Sequence, residues 1–145
     1  MKKIIVFLLL FIANLGYSQN WKSTFEEAKN QALVENKNIV LVFSGSDWCA
    51  PCIKLDKTVW QSAEFKKESQ TKWVIYKADF PKKKANQLDA TLAEANKKLA
   101  EKYNQSGNFP LVVLLDKSGN ILGMEGYRNL SAADYIRLLH SFEKE

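Results

Sequence analysis

The sequence predicts one small α/β domain, a mixed central sheet of about four strands with helices on both faces. Three observations predict it. Apolar, β-branched runs at Ile39–Phe43, Trp73–Tyr76 and Leu111–Leu115 read as strands buried on both faces. The stretches between them carry apolar residues at three- and four-residue intervals, the periodicity of a helix with one buried face. Cys49 and Cys52, the only two cysteines, stand where the first of these strands gives way to a helix.

The chain begins with Lys2 and Lys3, followed by the almost wholly apolar run Ile4 to Ala13. Gly16 and Ser18 then precede Gln19 as the small residues of a cleavage site. This is the pattern of a secretory signal peptide over residues 1–18. The competing reading, a retained membrane anchor, meets a length problem, because a spanning helix needs about 20 apolar residues. No cysteine lies near the cut to carry a lipid. Residues 19–145 form one domain, since no repeat, low-complexity tract or linker divides them. Loss of Lys2 and Lys3 lowers the formal net charge of +5 by two, leaving a mildly basic protein. Its densest cluster, Lys82-Lys83-Lys84, has no interleaved aromatic residues, which excludes a nucleic-acid face. A solvated loop is the plain reading of that run, and a docking patch for an acidic partner is the alternative.

Ser23-Thr24-Phe25-Glu26 has capping-box spacing and opens a helix over about 24–36. Asn36-Lys37-Asn38 ends it, and the strand Ile39–Phe43 follows. Ser44 to Asp47 forms a turn. A helix starts at Ala50, where Pro51 suits the first turn because its missing N–H has no helical partner there. Val59 and Trp60 mark a break, and Ser62 to Phe65 a restart. After the strand Trp73–Tyr76, Pro81 and the lysines make a loop. Leu88, Leu92, Ala95, Leu99 and Tyr103 form one helical stripe. Asn104 to Phe109 is a loop ending at Pro110, and the strand Leu111–Leu115 follows. Asp116 to Asn120 is a turn, and Ile121–Tyr127 its hairpin strand. The last helix begins at Ser131, with Leu130 and Tyr135 as its hydrophobic staple and Leu138, Leu139 and Phe142 on its core face.

Two cysteines in an exported chain often form a structural disulfide. Here the loop they close is too short for that role, at roughly 2 kcal/mol of unfolded-state entropy. A zinc site needs about four ligands, and the single histidine, His140, is remote in sequence. Thiol–disulfide exchange fits better. The attacking species is a thiolate, and the N–H groups and dipole at a helix N-terminus stabilise one. Cys49 sits at that terminus and is the nucleophile. Cys52 lies one turn further in and resolves the mixed disulfide.

Trp48-Cys49-Ala50-Pro51-Cys52 after a buried strand, with Phe109-Pro110 before a later one, resembles the thioredoxin family. The likeness covers about residues 21–143. Within the family it is similar to exported members such as the C-terminal domain of the bacterial transmembrane disulfide reductase, on the Phe43-Ser44-Gly45-Ser46-Asp47 entry and the Thr58-Val59-Trp60-Gln61-Ser62 break. The resemblance implies a thioredoxin fold and a cis peptide bond before Pro110. It implies that Phe109 and Pro110 face the cysteines and pair with substrate backbone, and that Trp48 offers an apolar docking surface beside Ala50 and Pro51. The chain departs from many cytoplasmic members at Val42 or Phe43, both apolar, where those members carry a buried aspartate, and Lys77 is then left without that mate. Ile53 stands where a lysine often follows the second cysteine. Asp47 is near the motif, with a solvated turn acid as its plainer reading.

The resulting expectation is an exported, periplasmic or secreted thiol–disulfide oxidoreductase that needs no cofactor and no metal. A proline before Cys52 and no histidine between the cysteines resembles the reducing or isomerising members. Its partners are protein disulfides and, by analogy, a membrane thiol relay as electron donor. The chain has no room for a dimerisation domain, so it is a monomer. The alternative is a non-catalytic binding or chaperone module with a vestigial disulfide.

Overall fold

The computed structural model describes residues 20–143, and the signal peptide expected over 1–18 lies outside them. The elements are α1 (Phe25–Glu35), β1 (Asn38–Ser44), α2 (Ala50–Leu55), α3 (Ala63–Lys72), β2 (Trp73–Asp79), α4 (Ala90–Tyr103), β3 (Leu111–Leu115), β4 (Ile121–Glu125) and α5 (Ala132–Ser141). A π-helical turn, Asp56–Trp60, joins α2 to α3, and a 3₁₀ turn, Lys84–Asn86, precedes α4. Sheet order is β2-β1-β3-β4. β1 runs parallel to β2 and antiparallel to β3, and β3 runs antiparallel to β4. The sheet is therefore mixed and four-stranded, as the apolar runs predict.

Alternation along β1 divides the core. Ile39, Leu41 and Phe43 face α1 and α4, together with Val74, Tyr76 and Val113. Val40 and Val42 face α2, α3 and α5, where Trp60, Phe65 and Tyr135 fill the space. Every one of these side chains is almost fully buried. Each contributes about 1.5–3 kcal/mol through burial, which is why a strand apolar on both faces must lie between two helical layers. Outside the sheet proper, Trp21 bridges to Ile75, and the Lys22 amide donates to the Ile75 carbonyl at 3.0 Å.

Four local expectations need correction. The cap of α1 is Thr24, not Ser23: Thr24 Oγ1 accepts the Glu27 amide at 3.1 Å, and the Glu27 carboxylate accepts the Ser23 amide at 3.0 Å. The box is shifted by one residue because Glu27 is the acid that can fold back. The Val59–Trp60 break is a π-helical turn in which the Gln61 amide reaches the Asp56 carbonyl, and this turn buries both Val59 and Trp60. The α4 stripe is only half core: Leu92 and Leu99 are half-buried and Ala95 is exposed, whereas Asn96 and Tyr103 are buried. Asn96 is buried at little cost because it receives the Tyr76 hydroxyl and donates to the Asp79 carbonyl. β4 stops at Glu125 and is an edge strand, with Ile121, Leu122 and Met124 exposed.

Candidate active site

β1 delivers the chain to the motif through a tight turn. The Gly45 carbonyl accepts the amides of Trp48 and Cys49 at 3.3 and 2.9 Å. Gly45 is required here by close approach: a Cβ would lie 2.3 Å from the Trp48 indole. β2 fixes the other side of the turn, since Asp79 accepts the Ser46 amide and hydroxyl and the Phe80 amide donates to the Ser44 carbonyl at 2.9 Å.

Cys49 is the N-cap of α2, and its sulfur accepts the Cys52 amide at 3.3 Å. The two sulfurs are joined as a disulfide, with Cα atoms 5.2 Å apart. Pro51 occupies the first turn of the helix, half-buried, and Ala50 beside it is exposed. Cys49 and Cys52 are equally buried in this oxidised form, at 4% and 3% exposure. Lying one turn further in therefore does not leave Cys52 clearly more shielded, and exposure does not separate the two. What separates them is the cap: the amide that points at Cys49 Sγ belongs to the helix, and it is a ready donor to a thiolate there.

Trp48 is partly exposed above the pair. Its Nε1 donates to the Phe80 carbonyl at 2.7 Å, and its ring meets Phe109 edge-on at 5.5 Å. Phe80 joins the cluster through Phe109, also edge-on, at 5.3 Å. The Phe109–Pro110 peptide bond is cis. Register places this loop beside the motif, because Leu111, the next residue, pairs with Phe43 at the end of β1. The loop is held by Asn104, which is buried and exchanges two hydrogen bonds with the backbone of Asn108, at 2.8 and 2.9 Å.

The structure thus brings Trp48, both cysteines and Phe109 to one end of the sheet. Sequence reasoning did not single out Phe80 or Asn104, although an aromatic residue before Pro81 and an asparagine at a helix end were visible signals. Two neighbours take roles different from those expected. Asp47 accepts the amides of Lys82 and Lys83, each at 2.9 Å, and the Asn86 side chain at 3.0 Å. The Lys82 amide, the Asn86 side chain and the Lys83 amide hold its carboxyl below the usual carboxylate range. It clasps the loop rather than standing as a free turn acid. Lys77 is not left without a mate: its Nζ lies 3.0 Å from Asp56 Oδ1, and both line a cleft of about 140 Å³ beside Cys52. The acid comes from the end of α2 instead of from the strand. Among the described residues, no group of three or more histidine, cysteine or acidic side chains is placed to hold a metal ion. No helix among them is long and apolar enough to cross a membrane.

The sequence profile of the thioredoxin-like domain matches residues 25–143. The chain belongs to the thioredoxin-like family. This thioredoxin-like protein is 33% identical over 121 residues to disulfide bond reductase DsbH of Chlamydia pneumoniae, spanning 83% of this chain and 70% of that one. A solved structure described as DsbH oxidoreductase superimposes with a TM-score of 0.81 at 31% identity, covering 88% of this chain and 85% of that one. The oxidised C-terminal domain of DsbD from Neisseria meningitidis superimposes with a TM-score of 0.55 at 17% identity, over 81% of this chain and 91% of that one. At that identity the likeness shows the thioredoxin fold alone.

Proposed function

We propose that this thioredoxin-like thiol–disulfide oxidoreductase acts outside the cytoplasm, where it reduces or isomerises disulfides in other proteins. One observation carries the assignment of roles: the sulfur of Cys49 caps α2 and receives the Cys52 amide at 3.3 Å. In the reduced protein the same donor stabilises a Cys49 thiolate. That thiolate attacks a substrate disulfide, forming one S–S bond and breaking another, and the departing substrate thiolate takes up a proton. Cys52 then loses its proton and attacks the Cys49 sulfur. The second substrate thiolate leaves, and the Cys49–Cys52 disulfide returns. Two electrons have passed from the dithiol to the substrate. A membrane thiol relay supplies two electrons and two protons to reset it, a step required because secreted compartments are oxidising.

Export rests on the leader pattern, and the reducing direction on the DsbH relatives and on Pro51 between the cysteines. Trp48, Phe109 and Pro110 give the substrate chain an apolar seat. The protein acts as a monomer.

The test is the reduction potential of the Cys49–Cys52 couple, measured by equilibrating the protein in thiol–disulfide buffers and trapping free thiols. A value near about −270 mV is expected, and one near about −120 mV would make the protein an oxidant instead. In an insulin-reduction assay, Cys49→Ser is expected to abolish turnover, and Cys52→Ser to accumulate a mixed disulfide visible by mass spectrometry. Full client handling by the double serine variant would favour a non-catalytic binding module.

A further inference from the structure

We propose that the Lys82-Lys83-Lys84 loop is a docking rim of the redox site that selects substrates with an acidic segment next to their disulfide. The proposal rests on the oxidoreductase reading above and names the partner chemistry of that same site.

Three observations carry it. First, the loop is built onto the motif. Asp47, two residues before Cys49, grips the Lys82 and Lys83 amides and the Asn86 side chain, so the run is tied to the residues that present the thiols. Second, the run reaches the site through its first lysine. The Lys82 ammonium lies over the Trp48 ring, 3.9 Å from its centroid, and Trp48 in turn contacts Phe109. Third, the charge is left over. None of the three lysines is within ion-pair distance of a carboxylate among the described residues, and all three are exposed. The acids nearby face inward: Asp47 is bound to the loop backbone, Asp79 to Ser46, and Asp56 to Lys77. Lys57, which lines the cleft beside Cys52, adds to the positive balance.

Three adjacent ammonium groups held on a short loop repel one another. Their field falls off over about 8–10 Å at physiological salt, far enough to meet a segment flanking a disulfide seated at Cys49. Such a field raises encounter rates and filters partners more than it adds affinity. Trp48 supplies an apolar seat at the centre, and the lysines supply a charged margin on one side of it.

The experiment compares three synthetic disulfide peptides, identical except for glutamate, glutamine or lysine residues flanking the disulfide. Each is reduced by the wild-type protein and by the K83Q/K84Q and K83E/K84E variants. Uncharged hydroxyethyl disulfide provides the reference rate within each protein. The glutamate peptide is expected to react about tenfold faster than the glutamine peptide at low salt, and the gap should close at about 0.5 M salt. In K83Q/K84Q the ratio should fall towards one, and K83E/K84E should prefer the lysine peptide. Equal rates for all three peptides in the wild-type protein, with hydroxyethyl disulfide reduced, would overturn the docking rim and leave the oxidoreductase standing. A preference that survives in K83E/K84E would overturn it as well. No reduction of hydroxyethyl disulfide would remove the activity itself, and the rim with it.

Discussion

At Gly45 a single missing carbon decides where the active-site tryptophan sits. Trp48 needs the space over Gly45 to bring its Nε1 to the Phe80 carbonyl and its ring to Phe109. Gly45→Ala would place a methyl group 2.3 Å from the indole, and the obstacle is a rigid ring, not the flexible tip of a side chain. The ring must move, giving up a hydrogen bond and an aromatic contact. The expected cost is about 1–3 kcal/mol of stability, with a shift in tryptophan fluorescence and a several-fold rise in KM for peptide disulfides. An unchanged crystal position of Trp48 in the variant would contradict this account. The sequence makes the two cysteines and Trp48 legible because their spacing carries chemistry. It does not make Gly45, Asn104 or the grip of Asp47 legible. Their roles depend on which backbone atoms come near in space, and no periodicity encodes that.

Among the elements, α3 and α5 are joined by one titratable clasp. His140 bridges Glu68 and Glu143, each at 2.7 Å, and stacks obliquely on Trp73. Glu143 also accepts the Trp73 indole N–H at 2.8 Å and the Asn38 side chain at 2.9 Å. Only an imidazolium can donate from both ring nitrogens. Burial opposes its charge, but the hydrogen bonds it donates to Glu143 and Glu68 prevail and raise its pKa above the ordinary 6.5. A raised value means stability that is fully present below pH 6.5 and is lost as pH climbs through the folded-state value. Burial likewise opposes ionisation of Glu143, but hydrogen bonds from Asn38, Trp73 and His140 hold its pKa below 4.5. Its contribution is present above pH 4.5 and fades as pH falls. The clasp is therefore strongest between pH 4.5 and 6.5. Urea unfolding at pH 6 and pH 8.5 is expected to show a loss of roughly 1 kcal/mol at the higher pH, because all three side chains are partly exposed. His140→Gln should abolish that difference. From the sequence, His140 shows only the absence of a metal or catalytic partner. Of its two partners, Glu143 stands only three residues on, whereas Glu68 becomes a neighbour only after α5 packs on α3.

For the whole molecule, fold class was the most legible property. Runs such as Ile39–Phe43 and Leu111–Leu115 admit one physical solution, burial between two helical layers, and the structure has it. Edges were the least legible. Ile121–Tyr127 reads as a hairpin strand from its place after the turn, yet β4 ends at Glu125 and, at the edge of the sheet, leaves Ile121, Leu122 and Met124 exposed. Such a strand can recruit another chain unless it is short, and β4 has 5 residues. The protein is expected to elute as a single chain by size exclusion with light scattering at micromolar concentration. A stable dimer would place β4 at the interface and refute the monomer.

The way Asp47 holds its loop has one further consequence. The carboxylate takes its hydrogen bonds from the backbone N–H groups of residues 82 and 83, with only a lesser electrostatic attraction from the Lys83 side chain. These hydrogen bonds can therefore form whatever side chains those positions carry, with proline, which lacks the N–H, the evident exception. Loop shape and loop charge are inherited separately. A related chain, or an engineer, can rewrite the margin of the redox site at residues 83 and 84 while Lys82 keeps its place over the tryptophan beside the thiols.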